Sequence, residues 1–231
     1  MIVLGIDTSG YANAVGVVDG DKVLADFTYE AKTDSLEQIV ANIDSTLRSA
    51  GLGLENVQGI GVGRGPGSWT GIRVGVTVGK MLAFSTGKPV AGVSTLQALA
   101  YGARRESSLI CAIIRVGTGD AVYAALYRSE NGTVNRTGEY YVGDVKGLTG
   151  MITGPAVLAG DGAQVYARTL KQESGLKVKA VEARPGGAAV ACLAAQRLEL
   201  GENDDVLSLT PLYLKESTAK AFVNKYKSSH T

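Results

Sequence analysis

Asp7-Thr8-Ser9 is the first of three short polar segments that could do chemistry. It directly follows residues 2–6, a continuous apolar run that fits a buried strand. A carboxylate at such a strand end can orient a metal-bound water, and the two hydroxyls can hydrogen-bond a phosphate. A polar turn is the alternative interpretation, because Asp, Thr and Ser favour turns in any case.

A glycine-rich block before a predicted helix is the second candidate, and it reads Gly65, Pro66, Gly67, Ser68, Trp69, Thr70, Gly71. Backbone N–H groups at such a helix start favour an anion. The block lacks the Gly-Lys-Ser/Thr ending of a P-loop, which excludes that assignment. A structural turn that sets the entry angle of a packed helix, with Thr70 as the N-cap, is the other interpretation. Both stay open at this point.

Gly160-Asp161-Gly162, between a predicted strand and a predicted helix, is the third candidate. Its glycines would let a nucleotide base or ribose approach the backbone. Such turns are common in α/β proteins, so the segment is weak evidence by itself.

The histidine content excludes most histidine-dependent chemistry. His230 is the only histidine of the 231 residues, and it lies next to the last residue of the sequence. Histidine triads and His-x-x-x-His metal pairs therefore have no source, and we predict neither a catalytic residue nor a metal site. Cys111 and Cys192 are isolated and are expected to be buried thiols. Carboxylate chemistry at Asp7 stays open.

The charge balance argues against strong nucleic-acid binding by the chain itself. Lys and Arg total 23 and Asp and Glu total 22, whereas nucleic-acid binders concentrate positive charge. No apolar stretch is long enough to span a membrane, and residues 1–7 show no basic leader. We expect a cytoplasmic protein.

Hydrophobic periodicity predicts two halves with the same order of elements, three strands followed by alternating helices and strands. The predicted strands are 2–6, 12–18, 22–30, 57–63, 89–93, 109–116, 121–127, 133–142, 157–159 and 177–181, and the helices are 36–47, 70–84, 94–105, 163–173 and 188–200. Three meandering strands plus crossovers give an α/β fold, a mixed sheet with helices in each half. We place the lobes at 1–106 and 107–231.

Two helices carry surfaces that suggest a partner. The first has one apolar stripe, and the second has small residues four positions apart, which let another backbone approach closely. The predicted interface consists of Leu36, Ile39, Val40, Ile43, Leu47, Gly71, Ile72, Gly75, Val76, Gly79 and Ala83. We expect Gly75→Leu to block association and to leave the monomer folded.

Four segments together resemble the TsaB family in order and in kind: residues 6–9, residues 65–73, residues 94–100 and residues 211–215. The resemblance implies a two-lobed actin/ribonuclease H-like fold. It also implies a non-catalytic scaffold that pairs with a TsaD-like catalytic subunit, within the assembly that makes threonylcarbamoyladenosine next to the tRNA anticodon. A TsaE-like ATPase and tRNA are implied as partners through the complex, and a homodimer is implied for the isolated chain.

One departure from the family pattern bears on cofactors. The second-lobe hairpin of this superfamily usually carries an Asp where this chain has Arg115. A cation there would repel a nucleotide's metal by about 4 kcal/mol at 4 Å with an effective dielectric constant of 20. We therefore expect no cofactor of the chain's own, with ATP or ADP bound weakly at Asp7, Thr8, Ser9 and Gly160–Gly162 or at the partner interface.

Two further hypotheses remain. A stand-alone nucleotide-dependent kinase or hydrolase of the same fold would use Asp7 as its metal-orienting carboxylate. A direct tRNA-binding module would use the C-terminal tail from Lys215 to Lys227, where Lys215, Lys220, Lys225 and Lys227 occur with Phe222 and Tyr226 among them. A solvated tail is the alternative interpretation of that last pattern.

Overall fold

The computed structural model describes residues 1–10, 12–30, 38–106, 108–175 and 177–215. The strands are β1 (Ile2–Asp7), β2 (Ala12–Asp19), β3 (Lys22–Glu30), β4 (Gly59–Gly63), β5 (Val90–Val93), β6 (Leu109–Arg115), β7 (Ala121–Glu130), β8 (Thr133–Arg136), β9 (Tyr141–Asp144), β10 (Ala156–Ala159) and β11 (Val178–Val181). The helices are α1 (Ile39–Ser49), α2 (Trp69–Thr86), α3 (Thr95–Gly102), α4 (Val145–Leu148), α5 (Asp161–Ser174) and α6 (Gly187–Glu199).

The strands form two mixed sheets with matching topology. The first sheet has the order β3-β2-β1-β4-β5, and the second has the order β8-β7-β6-β10-β11, with β9 also paired to β7. In each sheet three antiparallel strands meander, and two further strands add in parallel after helical crossovers. The predicted fold class is confirmed, and β1 and β6 occupy equivalent central positions.

Helices cover the sheets in layers. Helices α1 and α2 pack on the outer face of the first sheet around Leu4, Ile60 and Val62. Helices α3 and α6 lie between the sheets, and α4 and α5 cover the outer face of the second sheet. The middle layer contains the buried cluster with the most residues, and it joins the two halves.

A row of glycines across the first sheet lets α6 approach closely. Gly16, Gly5 and Gly61 are neighbours on β2, β1 and β4. A Cβ atom on Gly5 would overlap the Gly187 carbonyl, and one on Gly61 would lie 2.6 Å from the Ala194 Cβ. Because no side chains intervene, the alanine-rich helix packs directly on the sheet backbone.

Three of the differences between the structure and the sequence prediction concern the placement of strands and helices. The strand expected over 133–142 is broken into β8 and β9, because residues 137–140 leave the ladder between them. Helix α1 begins at Ile39, and the predicted start at residue 36 lies outside the described residues. Helix α6, expected in the second lobe, packs on the first sheet, so the lobes share this helix.

Residues 204–215, which we call the strap, run from the edge of β5 along α2. The Asp204 carboxylate accepts hydrogen bonds from the Gly92 N–H (2.6 Å) and from the Arg197 Nη1 (3.0 Å). The Lys80 ammonium donates to the carbonyls of Leu207 and Leu209, both at 3.0 Å. The strap thereby ties the end of the described chain to the first sheet.

Candidate functional site

A cleft of about 840 Å³ lies between the ends of the two sheets. Its walls come from both halves of the chain: the turn after β1, the glycine-rich block before α2, the end of β6, the start of α5, and residues 182–185. Thr8, Ser9, Gly160 and Asp161, four of the predicted nucleotide-binding residues, line this cleft. The structure therefore brings all three sequence candidates together.

The carboxylate of Asp7, the fifth of these residues, points into the protein. Asp7 is 1% exposed and accepts hydrogen bonds from the Ser9 N–H (2.8 Å), from the Ser9 hydroxyl and from the Thr95 hydroxyl (2.8 Å). Burial raises the pKa of Asp7 above its usual value of 3.8, although these hydrogen bonds oppose the shift. A carboxylate held in this way has little capacity left for a metal-bound water.

The glycine-rich block closes over the turn that follows β1. The Thr8 hydroxyl donates to the Gly71 carbonyl (2.6 Å), and the Ser68 N–H donates to the Ser9 carbonyl (2.7 Å). A Cβ atom on Gly67, whose φ is +158°, would overlap the Ser9 carbonyl. The Thr8 and Ser9 hydroxyls are thus engaged within the chain, and the block acts as a packed turn.

Helix α2 starts one residue earlier than the predicted cap. Ser68 is the N-cap, and its hydroxyl accepts from the Gly71 N–H at 3.3 Å. The prediction of Thr70 as the cap was therefore wrong. The reason is local: Ser68 keeps an extended backbone and lies three residues before the N–H that it caps.

A metal-bound nucleotide, which the fold class implies, does not fit the residues of this cleft. Asp7 ends β1, and Arg115 ends β6 at the equivalent position of the second sheet. The Asp7 carboxylate is turned away from the cleft, and the equivalent position of the second sheet carries the cation of Arg115. Within the described ranges, no three His, Cys, Asp or Glu side chains are grouped so that they could hold a metal ion.

Asp161 is fastened to the backbone at the start of α5. Its carboxylate accepts the backbone N–H of Arg115 at 3.0 Å. Burial raises the pKa of Asp161, and the backbone hydrogen bonds from Arg115 and Gly162 oppose that shift. Gly162, predicted as a nucleotide contact, packs instead on Ile113, whose side chain a Cβ atom there would overlap.

The small-residue stripe of α2, predicted to face a partner, packs on the chain's own first sheet. A Cβ atom on Gly75 would overlap the Thr8 hydroxyl, and one on Gly79 would overlap Val62. All six predicted interface residues of α2 are buried: Gly71, Ile72, Gly75, Val76, Gly79 and Ala83. The small residues do permit a close approach, but the approaching groups are Thr8, directly after β1, and the Val62 side chain of β4.

The apolar stripe of α1 is corrected in the same way. Ile39, Ile43 and Leu47 are buried against the first sheet. Val40 is 61% exposed, and Leu36 lies outside the described residues. Of the described residues predicted for the interface, Val40 is the one whose side chain reaches the surface.

The exposed side of α2 carries large apolar groups that the prediction did not place in the interface. Met81 is 65% exposed and Phe84 is 76% exposed. With Arg73 and Thr77 they follow the helical spacing i, i+4, i+8 and i+11 and form one row, which we call the outer stripe. The available sequence signal was the helix's lack of polar surface, which indicates cover on more than one side.

An aromatic cluster at the start of α2 was also missed. The Trp69 ring stacks on Tyr213 of the strap, with centroids 4.1 Å apart and an interplanar angle of 28°. The Arg73 guanidinium lies 4.6 Å from the Trp69 centroid, and its Nε donates to the Tyr213 hydroxyl at 2.9 Å. Because 144 positions separate Trp69 from Tyr213, no local pattern could reveal this contact.

The sequence matches a family model described as TsaD: tRNA N6-adenosine threonylcarbamoyltransferase, over residues 23–222. A tRNA threonylcarbamoyladenosine biosynthesis protein TsaB of Escherichia coli is 30% identical over 227 residues, which cover 95% of this chain and 96% of that protein. The TsaB protein of Bacillus subtilis is 36% identical over 137 residues, 59% of each chain.

Solved structures agree with the sequence relatives. YeaZ from Pseudomonas aeruginosa superposes with a TM-score of 0.77 at 26% identity, over 92% of this chain and 99% of that one. A ROK hexokinase from Thermus thermophilus superposes with a TM-score of 0.54 at 16% identity, over 87% of this chain and all of that one, a likeness of fold alone. The molecule has the actin/ribonuclease H-like fold.

Proposed function

The chain belongs to the TsaB family, and on that premise we propose that it is a non-catalytic subunit of the assembly that makes threonylcarbamoyladenosine in tRNA. Its partner in this proposal is a TsaD-like catalytic subunit, which binds the outer stripe of α2. The observation that carries the proposal is the exposure of Met81 and Phe84 on a helix whose other face is fixed to the first sheet.

The state of the cleft supports a subunit that does not catalyse the reaction. The Asp7 carboxylate accepts three hydrogen bonds from within the chain, and Arg115 occupies the equivalent position of the second sheet. This arrangement disfavours the alternative, a stand-alone kinase or hydrolase that uses Asp7. ATP or ADP, if it contributes, would then act at the partner interface.

The outer stripe has the chemistry of a protein interface. Monomeric proteins seldom expose contiguous large apolar side chains without a function. Phe84 and Met81 supply apolar contact area, and Arg73 adds a guanidinium, a group enriched in interfaces. Val40 of α1 also reaches the surface of the same outer layer, so both helices would take part.

The remaining partners follow from the family. A TsaE-like ATPase and tRNA would join through the complex rather than by direct binding to this chain. A second copy of the chain would occupy the outer stripe when the catalytic subunit is absent.

None of the helices in the described residues combines the length and apolar content needed to cross a bilayer, and we propose a cytoplasmic location.

The proposal is tested by Phe84→Asp. A charge in place of a large aromatic side chain of the outer stripe should weaken association with the TsaD-like subunit by at least about 30-fold, because an aromatic anchor of an interface contributes about 2 kcal/mol or more. Association is measured by calorimetry or analytical ultracentrifugation with the purified subunit. The far-ultraviolet circular dichroism of the variant should match that of the wild type, since the side chain is exposed.

Leu200→Asp is the matched control. Leu200 is also 76% exposed, but it follows α6 on the other side of the first sheet. We expect this variant to pair with wild-type affinity. Unchanged pairing by Phe84→Asp, or equal weakening by both variants, would show that the outer stripe is not the interface.

A further inference from the structure

The strap presents a large apolar side chain beside the outer stripe. Leu207 is 78% exposed, and its backbone carbonyl accepts a hydrogen bond from the Lys80 ammonium of α2 at 3.0 Å. Lys80 lies one residue before Met81 and four residues before Phe84, so the strap places Leu207 next to the turn of α2 that carries both. A single exposed leucine is ordinary in proteins, but three large apolar side chains side by side form a patch.

The position of Leu207 is fixed through its backbone and not through its side chain. The Asp205 carboxylate accepts the N–H groups of Leu207 (3.3 Å) and Ser208 (3.0 Å). The Lys80 ammonium also binds the carbonyl of Leu209, whose side chain is buried against the first sheet. Both backbone polar groups of Leu207 are therefore bonded within the chain while its side chain is exposed. A segment that is already ordered loses little conformational freedom when a partner binds it.

A shallow depression of about 480 Å³ lies beside this patch. The end of α2, the start of β5 and the strap supply its apolar lining, which consists of Ala83, Phe84, Pro89, Val90 and Val206. Asp204 and Asp205 are among the polar residues that line it. A depression with an apolar lining and polar neighbours is the kind of site in which a protein interface places an anchoring side chain.

The two outer helices alone offer too small a surface for a stable complex. An α-helix rises about 1.5 Å per residue and is about 10 Å wide, so one face of the 18-residue α2 covers about 270 Å², and one face of the 11-residue α1 covers about 160 Å². A specific and stable interface buries about 800 Å² on each partner. A partner that binds the outer stripe must therefore contact a further element of the chain.

Two elements border the helix pair, and the strap is the better extension. On the side of α1 lies β3, whose Phe27 is 44% exposed and has the Tyr29 ring 6.1 Å away. On the side of α2 lies the strap, where Leu207 is more exposed than Phe27. The depression next to Leu207 is also lined by Phe84, so it is continuous with the outer stripe.

We propose that the strap is part of the surface that binds the TsaD-like subunit. Leu207 and Phe84 contact the subunit together, and the depression beside them receives one of its apolar side chains. This inference rests on the proposed function, because it extends the interface on the outer stripe. It also explains why the strap is fastened to α2 by its backbone: the hydrogen bonds leave the side chain of Leu207 available to the partner.

Leu207→Asp in the full-length chain tests the proposal. Its association with the purified TsaD-like subunit, measured by calorimetry, should weaken about tenfold or more, because a charge would replace an apolar contact. Leu207→Met keeps the apolar volume and should pair within about twofold of the wild type. Phe27→Asp places the same charge on β3 and should also pair within about twofold.

Tryptophan emission shows whether the strap keeps its place in these variants. Trp69 stacks on Tyr213 of the strap, so an unchanged emission spectrum of Leu207→Asp means that the strap still rests on α2. If the charge does displace the strap, Leu207→Ala becomes the deciding variant, since it shortens the side chain and leaves the backbone hydrogen bonds in place. Its association should weaken about threefold or more.

The outcomes separate this inference from the proposed function. Wild-type pairing by Leu207→Asp, together with the loss expected for Phe84→Asp, would overturn the role of the strap and keep the outer stripe as the interface. Weakening by Phe27→Asp in place of Leu207→Asp would move the contact to β3. Weakening confined to self-association of the isolated chain would assign the strap to a second copy and would also overturn the inference. Wild-type pairing by both Leu207→Asp and Phe84→Asp would overturn the proposed interface as a whole.

Discussion

The Thr95 hydroxyl donates a 2.8 Å hydrogen bond to the Asp7 carboxylate, although the two residues are 88 positions apart in sequence. The contact joins the end of β1 to the start of α3. It holds a carboxylate inside the protein at the position where the kinase or hydrolase hypothesis requires a carboxylate that faces the cleft. The direction of the Asp7 side chain therefore favours the interpretation of a packed polar turn over that of a metal-orienting carboxylate.

We predict that Asp7→Asn makes the free energy of unfolding less dependent on pH. Burial raises the pKa of Asp7, so the folded chain holds this proton more tightly than the unfolded chain does. The resulting stabilisation is complete below the ordinary value of 3.8 and is lost as the pH rises through the folded-state pKa. Urea unfolding across this window should show a decline in the wild type that the variant lacks.

Asp44→Asn is the control for that experiment. Asp44 is exposed and pairs with Arg48 four residues on, so its removal should leave the pH profile of the wild type in place. Parallel profiles for the wild type and for Asp7→Asn would mean that Asp7 is ionised without penalty in the folded state.

Gly75→Ala should destabilise the monomer, contrary to the effect expected of a residue at a partner interface. The new methyl group would overlap the Thr8 hydroxyl, and such overpacking costs about 1–3 kcal/mol. The helix-propensity gain of about 1 kcal/mol opposes it. Thermal and urea unfolding measure the net effect.

Gly102→Ala provides the comparison within the same chain. Apart from its chain neighbours and the backbone of α3 itself, no atom lies within 4 Å of a Cβ built on Gly102, so this variant should be neutral or slightly more stable. If Gly75→Ala proves as stable as Gly102→Ala, the packing of α2 on β1 is looser than the structure shows.

Tyr213→Ala should shift the tryptophan emission to longer wavelength. Trp69 is the only tryptophan of the chain, and Tyr213 covers one face of its ring. Loss of the stacked pair should also lower the free energy of unfolding by about 0.5–1.5 kcal/mol. Tyr213→Phe retains the ring and should leave the emission nearly unchanged. Identical spectra for the wild type and for Tyr213→Ala would show that the strap does not rest on α2 in solution.

Local patterns were sufficient for most of the secondary structure. The strands predicted over 12–18 and 22–30 form a hairpin as β2 and β3, and Gly20 in the turn between them has a positive φ of +55°. The helical spacing of small residues correctly placed Gly71, Gly75 and Gly79 on one face of α2. Hydrophobic periodicity and turn preferences depend on residues that are neighbours in the sequence, so a single sequence is enough to predict the local secondary structure.

The features that could not be predicted from the sequence depend on long-range contacts. Spacing showed that the glycines of α2 share a face, but not whether β1 or another protein covers that face. The orientation of Asp7 depends on Thr95, and the exposure of Phe84 depends on which side of α2 meets the sheet. Each of these follows from strand order and register, which residue type alone does not specify.

The glycine row on β2, β1 and β4 has a consequence for how the protein is made. The helix that covers this row, α6, ends at Glu199, so a nascent chain on the ribosome exposes the inner face of its first sheet until most of the sequence has emerged. A fragment that stops after the first lobe would lack its inner cover and should aggregate or recruit chaperones. Because α6 is synthesised late, the first lobe cannot finish folding until long after its own residues have been synthesised.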